Sequence, residues 1–312
     1  MPESQVTETA ARPFLKWAGG KTQLLNAIEA RLPDIIRETG KIKRYVEPFV
    51  GGGAVFFHLQ GKYEIEEAWL YDINRELIVG YRAVQEDYLA LLDKLYDIEH
   101  TYLNLSKPER KKYFYRTRDT YNKQMHEFDY QEYTTEWIDR ATMLIYLNKT
   151  CYNGLFRQNQ KGEFNTPHGR YVSPTICDAD NITAAHQALQ AANIVCSDFK
   201  TAEQHIDTNT FVYYDPPYRP LNKTSSFTSY FKSGFTDENQ RELVEFFHKM
   251  DTRGAYQLLS NSDPKNEDPD DKFFENLYAG ESITIERVTA NRNINRNGSD
   301  RGAISELIIW NY

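Results

Sequence analysis

Thr210-Phe-Val-Tyr-Tyr-Asp-Pro-Pro-Tyr218 is the stretch around which the rest of the chain is best read. From Phe211 to Tyr214 it is a short apolar run of β-branched and aromatic residues, the composition of a strand covered on both faces in a parallel sheet. The run stops at Asp215. Two prolines follow, neither with an N–H, so the backbone there presents carbonyl acceptors and almost no donors, and Tyr218 adds an aromatic face. A carboxylate, a rigid row of carbonyls and a ring at a strand's C-terminal end suit a flat group carrying N–H donors, such as the exocyclic amino group of a nucleobase. Read alone, the same residues also suit an ordinary turn.

Upstream, Glu47-Pro-Phe-Val-Gly-Gly-Gly53 follows the strand-like start of Tyr45-Val-Glu-Pro-Phe-Val50 and runs into a helix over Ala54 to Leu59. Strand, glycine turn and helix open a Rossmann-like unit, in which glycines admit an adenosine-type ligand against the backbone. The next strand, Ala68-Trp-Leu-Tyr71, ends at Asp72, about 20 residues after the glycines, where such folds place an acid on ribose hydroxyls. The dinucleotide fingerprint would require glycine at position 56, where Phe56 stands. A ligand with a ribose but no pyrophosphate is favoured over NAD, and S-adenosylmethionine is such a cofactor. Nearer the start, Phe14-Leu-Lys-Trp-Ala-Gly-Gly-Lys21-Thr22 precedes a helical pattern through Leu24, Leu25, Ile28 and Leu32 that Pro33 ends. A phosphate-binding loop would need glycine where Leu15 stands. The two glycines instead allow close backbone approach to another ligand, with Trp17 and Lys21 supplying a ring and a charge.

The 312 residues, 40% of them hydrophobic, suffice for one large core or two modest domains. No long uncharged apolar run is present, and the polar stretch Met1 to Arg12 lacks the apolar segment of a signal peptide, so a soluble, cytoplasmic protein is expected. Cys151, Cys177 and Cys196 form no Cys-x-x-Cys pair, and the histidines include no His-Glu-x-x-His, so neither disulfides nor a metal site is indicated. With a net charge of −8, any nucleic-acid partner must be met by a local basic face.

Such a face occurs in the tyrosine-rich helical region from about Leu77 to Asn148. Between Lys107 and Lys123, seven cations stand against Glu109 and Asp119, either as a solvated helix face or as a phosphate-contacting surface. Beyond Asn148, two short arms around Lys161-Gly162 predict a β-hairpin projecting Arg157, Lys161 and Arg170. A hairpin can enter a major groove, where arginine pairs bidentately with guanine. The α/β pattern then resumes. Asn193 to Cys196 reads as a strand ending at Ser197-Asp198-Phe199, where Asp198 could reach an adenine amino group or cap the following helix. Further on come the polar loop Thr224 to Tyr230, a helix from Asp237 to Met250, a strand from Ala255 to Ser260, an exposed acidic loop from Asp263 to Asp271, and closing strands Ile283–Val288 and Ala303–Trp310 separated by the stretch Asn291 to Arg301.

In order, Phe-Leu-Lys-Trp-Ala-Gly-Gly-Lys, Glu-Pro-Phe-Val-Gly-Gly-Gly, Asn-Gly-Leu-Phe-Arg and Asp-Pro-Pro-Tyr closely resemble the motifs of Dam-type DNA adenine-N6 methyltransferases, particularly the DpnM-like branch. The similarity runs from about Phe14 to the C-terminus. The resemblance implies an α/β fold, a Rossmann-like S-adenosylmethionine-dependent methyltransferase sheet with an inserted, mainly helical target-recognition domain carrying a β-hairpin. The expected division is 1–78 as the first part of the catalytic domain, 79–174 for target recognition with the hairpin at 151–171, and 175–312 as the second catalytic part. The resemblance further implies that Trp17, Lys21, Phe49, Gly51, Asp72, Asp198, Phe199 and Asp215 form the cofactor site, and that Asp215, Pro216, Pro217 and Tyr218 receive a flipped adenine. Lys16, Asn153, Arg157, Arg170 and Tyr171 match positions that touch double-stranded DNA, and their match suggests a GATC site. The resemblance fits both a solitary methylase and one paired with a cognate restriction endonuclease acting on the same site. Lys149 stands where relatives often carry arginine, His168 occupies a variable place, and the acidic 263–271 loop looks like an individual insertion. Cytosine-N4 methylation, and a catalytically inactive DNA-binding protein of the same fold, are the alternative expectations.

Overall fold

The computed structural model describes residues 10–218, 235–280, 282–291 and 303–312. The expected loop Thr224 to Tyr230 and the stretch following Asn291 lie outside the described residues. In chain order the helices are α1 (Leu25–Glu29), α2 (Asp34–Thr39), α3 (Ala54–Gln60), α4 (Arg75–Asn104), α5 (Lys107–Gln124), α6 (Glu136–Thr150), α7 (Ala179–Leu189), α8 (Asp237–Asp251) and α9 (Phe273–Leu277). The strands are β1 (Lys41–Glu47), β2 (Glu64–Asp72), β3 (Ala192–Cys196), β4 (Thr210–Tyr214), β5 (Tyr256–Ser262), β6 (Thr284–Asn291) and β7 (Ala303–Trp310). They are ordered β3-β2-β1-β4-β5-β7-β6.

Two compact units are built from interleaved segments. One comprises Met1–Gly20, Gly51–Gly61 and Asn74–Cys196; the other comprises Lys21–Val50, Lys62–Ile73 and Ser197–Tyr312.

The second unit holds the sheet around β4. Every residue of β4 is buried, as the apolar run Phe211 to Tyr214 requires of a strand covered on both faces. β1 pairs in parallel with β2 and β4, and β4 with β5, so the C-terminal ends of these strands share one edge. Tyr214 lies opposite Leu259, which sets Asp215 beside Ser260. β7 runs antiparallel to both β5 and β6, and that reversal carries the middle of β7 toward the edge where the parallel strands end. β1 begins four residues before the expected start because Ile42 is already buried in it. The first helix is a single short turn, and a separate helix begins directly after Pro33, since proline has the fixed φ of a first helical turn but cannot continue one.

The acidic stretch at 263–271 is only partly exposed, contrary to the sequence expectation. Asp263 is buried and accepts from Arg287 Nε at 2.9 Å and from the Lys265 N–H at 3.1 Å. The solvated part is residues 266–270.

The first unit is mainly helical. Asn74 caps α4 by accepting from the Glu76 and Leu77 N–H groups, and the helix kinks at Asp87, whose φ of −148° leaves the helical region. α5 opens on Ser106-Lys-Pro-Glu109, a capping box in which the Glu109 carboxylate accepts from the Ser106 N–H at 2.9 Å. At the heart of the unit, Arg140 of α6 (1% exposed) meets Glu76 of α4 (2% exposed) through two hydrogen bonds of 2.6 and 2.8 Å. Tyr121 and Tyr130 donate their hydroxyls to the same carboxylate at 2.8 and 2.6 Å, so both of its oxygens are satisfied despite burial.

Candidate active site

In the sheet unit, the strand β4 delivers Asp215 to the C-terminal edge with its side chain 19% exposed. Lys21, only 5% exposed, holds Asp215 Oδ1 at 2.8 Å, and Ser260 Oγ donates to the same oxygen at 3.4 Å. Tyr213 Oη lies 2.8 Å from Ser260 Oγ, which fixes that hydroxyl from β4. Lys21 also donates to the Tyr218 hydroxyl and sits 4.2 Å from the centroid of its ring. Tyr218 in turn donates to Glu306 Oε2 at 2.6 Å, and Lys21 lies 3.8 Å from that carboxylate. Burial holds the Asp215 carboxyl above the usual aspartate range; Lys21 opposes that rise and Glu306 adds to it. Burial likewise pushes the Tyr218 hydroxyl well above its ordinary value, with Asp215 and Glu306 adding to the effect. Of the proline carbonyls, that of Pro217 accepts from Gln240 Nε2 at 3.3 Å.

Along the same edge stand the other acids and rings expected there. Asp72 ends β2, and its carbonyl accepts from the Ser197 N–H at 3.1 Å. Asp198 follows β3; its Oδ1 accepts from the Lys200 N–H at 3.0 Å, so it does cap the following 3-10 turn. Phe49 packs on Phe199 with centroids 5.5 Å apart and meets Phe235 edge-on at 5.8 Å. Carboxylate acceptors for hydroxyl and amino groups, a buried ammonium and an aromatic wall fit the donor groups and flat base of an adenosine-type sulfonium cofactor.

The remaining expected residues belong to the helical unit. Trp17 stacks on Phe156 with centroids 4.9 Å apart. A Cβ on Gly51, whose φ is +49°, would meet Trp17 Cδ1 at 3.2 Å, so both conformation and space there favour glycine. Asn148 joins Lys16 to the hairpin base: it accepts from the Lys16 N–H at 2.8 Å and donates to the carbonyls of Lys16 and Gly154 at 2.9 and 3.1 Å. The arms of the hairpin segment meet through single bridges, Cys151 with His168 and Gln158 with Phe164, rather than through a continuous ladder. Asn153 adopts a left-handed φ of 59°, Arg157 donates to Asn165 Oδ1 at 2.8 Å, and Arg170 and Tyr171 are exposed. α5 is fastened alongside: Asn122 exchanges two hydrogen bonds with the Phe164 backbone, at 3.0 and 2.8 Å. Arg110 is committed to structure, donating to the carbonyls of Leu103, Leu105 and Val172.

The model of the D12 class of N6 adenine-specific DNA methyltransferases matches residues 17–294. This chain belongs to that family. The methyltransferase is 46% identical over 302 residues to the Type II methyltransferase M.MjaIII of Methanocaldococcus jannaschii, covering 96% of this chain and 99% of that protein. It is 34% identical to the Type II methyltransferase M1.LlaDCHI of Lactococcus lactis subsp. cremoris, covering 96% and 95%, and 33% identical to the DNA adenine methylase of Escherichia coli K12, covering 95% and 94%. The Dam-type resemblance and the mixed α/β fold are thereby established. Among the described residues, no helix is long and apolar enough to cross a membrane, and no group of three or more potential ligand side chains could hold a metal ion.

Sequence reading missed three residues of these clusters. Ser260 and Glu306 come to Asp215 from β5 and β7, and Phe156 comes to Trp17 from the hairpin segment. The available signal for Glu306 was a lone acid inside the apolar run Ala303–Trp310.

Proposed function

We propose that this methyltransferase transfers a methyl group from S-adenosylmethionine to the N6 amino group of adenine in double-stranded DNA, at GATC, on a base turned out of the helix. The observation that carries this reading is the Asp215 cluster. Among the described residues, both contacts to its carboxylate fall on Oδ1, which leaves Oδ2 as an acceptor for an incoming N–H.

An adenine N6 lone pair is delocalised into the ring and is a poor nucleophile. Turning the base out costs roughly a few kcal/mol. Once it is out, Asp215 and the Pro216 carbonyl each accept one N6–H, drawing the nitrogen toward tetrahedral geometry and stabilising the positive charge that develops on it. Pro217 keeps the backbone row rigid, and Tyr218 covers the base. The bound cofactor supplies an activated methyl group on a sulfonium. Trp17, Lys21, Phe49, Gly51, Asp72, Asp198 and Phe199 would hold it, with Asp72 accepting from ribose hydroxyls and the rings covering adenine. Residues 1–78 and 175–312 serve as the catalytic parts and 79–174 as the target-recognition part. Lys16, Asn153, Arg157, Arg170 and Tyr171 contact the duplex. The reading places the protein with DNA in the cytoplasm, beside a restriction endonuclease of the same specificity. Modification-sensitive sequencing of plasmid DNA treated with the protein and S-adenosylmethionine is expected to show methylated adenine within GATC; methylation confined to another sequence would overturn the site assignment.

The α5 cations supply phosphate contacts. Lys111, Lys112, Arg116 and Lys123 are exposed, and Asn122 fixes their helix to the hairpin. Removing one cation from its phosphate should flatten the dependence of log K on log salt by about 0.9. Replacing Lys112, Arg116 and Lys123 together with glutamine should therefore lower the slope by about 2 to 3 in duplex titrations between low and moderate salt. An unchanged slope would mark the stripe as merely solvated. Arg110 is unsuited to this test because its removal would strip three carbonyls of their donor.

A further inference from the structure

We propose that Glu306 is a positioning residue for methyl transfer, holding Tyr218 and sharing the Lys21 ammonium so that the cluster around Asp215 carries more negative than positive charge where the amino group is received. The inference rests on the reading of Asp215 as that acceptor.

Glu306 reaches the cluster by register. β7 pairs antiparallel with β5, placing Ile308 opposite Ser260 and Glu306 opposite Ser262. Its side chain is 13% exposed and is followed in the strand by buried Leu307, Ile308 and Ile309. A carboxylate in that setting is costly without partners. Its partners are the two groups that meet Asp215's neighbourhood, the Tyr218 hydroxyl at 2.6 Å and the Lys21 ammonium at 3.8 Å.

Among the described residues, the groups facing Asp215 are Lys21, Ser260 from β5, Glu306 from β7, and the Tyr213 and Tyr218 rings near it in sequence. Two carboxylates share one ammonium. Were Glu306 absent, one ammonium would face one carboxylate, the cluster would lose its excess negative charge, and the Tyr218 hydroxyl would lose its acceptor. With Glu306 present, the cluster retains excess negative charge where the amino nitrogen gains positive charge, which is the arrangement that stabilises a cationic transition state. Glu306 touches neither base nor cofactor in this scheme; it acts through Tyr218 and Lys21.

Glu306→Gln keeps the size of the side chain and removes its charge. Steady-state methylation of a GATC duplex with labelled S-adenosylmethionine is expected to show kcat reduced roughly 10- to 100-fold with both KM values within about twofold. The acid limb of the kcat profile is expected to move to lower pH, because removing a neighbouring negative charge makes Asp215 easier to ionise. ¹³C-carboxyl titration of Asp215 in the ligand-free protein reads the same downward shift without turnover. Glu306→Asp, which retains the charge, should hold the acid limb at its wild-type position. A purely structural residue would lower the melting temperature and leave the limb in place. Glu306→Ala is a second charge-free variant, read in the same way if the glutamine variant does not fold. Wild-type kcat, or an unmoved acid limb and carboxyl titration, would overturn the proposal. Asp215→Ala in the same assay separates the two levels: if it is active, the underlying reading falls, whereas if it is inactive and Glu306→Gln is normal, only the role of Glu306 falls.

Discussion

Asp215→Ala is expected to abolish methylation of duplex DNA, lowering kcat roughly 10²- to 10⁴-fold while the protein stays folded. The size follows from what the side chain does in the proposed reaction. It is the charged acceptor of the two that hold the amino group, and the neighbouring Glu306 carboxylate is already engaged by the Tyr218 hydroxyl and the Lys21 ammonium. Stability should respond in the opposite sense. The folded protein holds the Asp215 carboxyl above its ordinary value through burial, so the fold binds this proton more tightly than the unfolded chain does. Asp215 therefore costs stability increasingly as pH rises from the ordinary aspartate value to the raised one, and the cost is fully present only above the raised value. Asp215→Asn, which keeps the shape without the charge and leaves Lys21 paired with Glu306, should melt at or above the wild-type temperature while remaining inactive. Differential scanning fluorimetry beside a labelled methyl-transfer assay measures both. An inactive variant that is also unfolded would leave Asn as the informative substitution, and near-normal turnover in either variant would refute the assignment.

The largest effect on stability is expected in the helical unit, from Arg140→Ala. Removing the arginine strands the Glu76 carboxylate in the core with only the Tyr121 and Tyr130 hydroxyls to satisfy it. Breaking one partner out of a buried pair costs about 3–5 kcal/mol. In a protein of this size that corresponds to a melting temperature lower by roughly 6–20 °C. The double variant Glu76→Gln, Arg140→Met removes both charges and should recover much of that stability, since apolar replacement of a whole buried pair is often neutral. Thermal melts of the two variants decide this. If Arg140→Ala melts with the wild type, the pair contributes little to holding α4 and α6 together.

The residues legible in the sequence were those whose role follows from local pattern. β4 was recognisable because a strand buried on both faces is apolar at every position, and Asp215 because it breaks that run. The placement of Asp72 at the end of a strand, and of the glycines in a strand-to-helix turn, was readable from their spacing. Glu306 was not, since its place depends on an antiparallel pairing across the sheet, and register between distant strands leaves no local trace. The same holds for the link between Lys16 and the base of the hairpin, which Asn148 makes from 132 positions away. Arg110 looked like one cation among seven; only the structure shows it committed to three carbonyls at the end of α4 and beside Val172. Asp263 read as the start of a solvated acidic loop because the arginine that pairs with it, the exposed Arg287, comes from β6, 24 positions away. Asp198 stood open between ligand and cap, and its capping bond to Lys200 occupies one oxygen of a side chain that remains exposed.

The most direct measurement is nucleoside mass spectrometry of duplex DNA after incubation with the protein and isotopically labelled S-adenosylmethionine. The account predicts the labelled methyl group on N6 of adenine from the wild-type protein and none from Asp215→Ala. Label on cytosine N4, or labelled N6-methyladenine formed equally by both proteins, would contradict it.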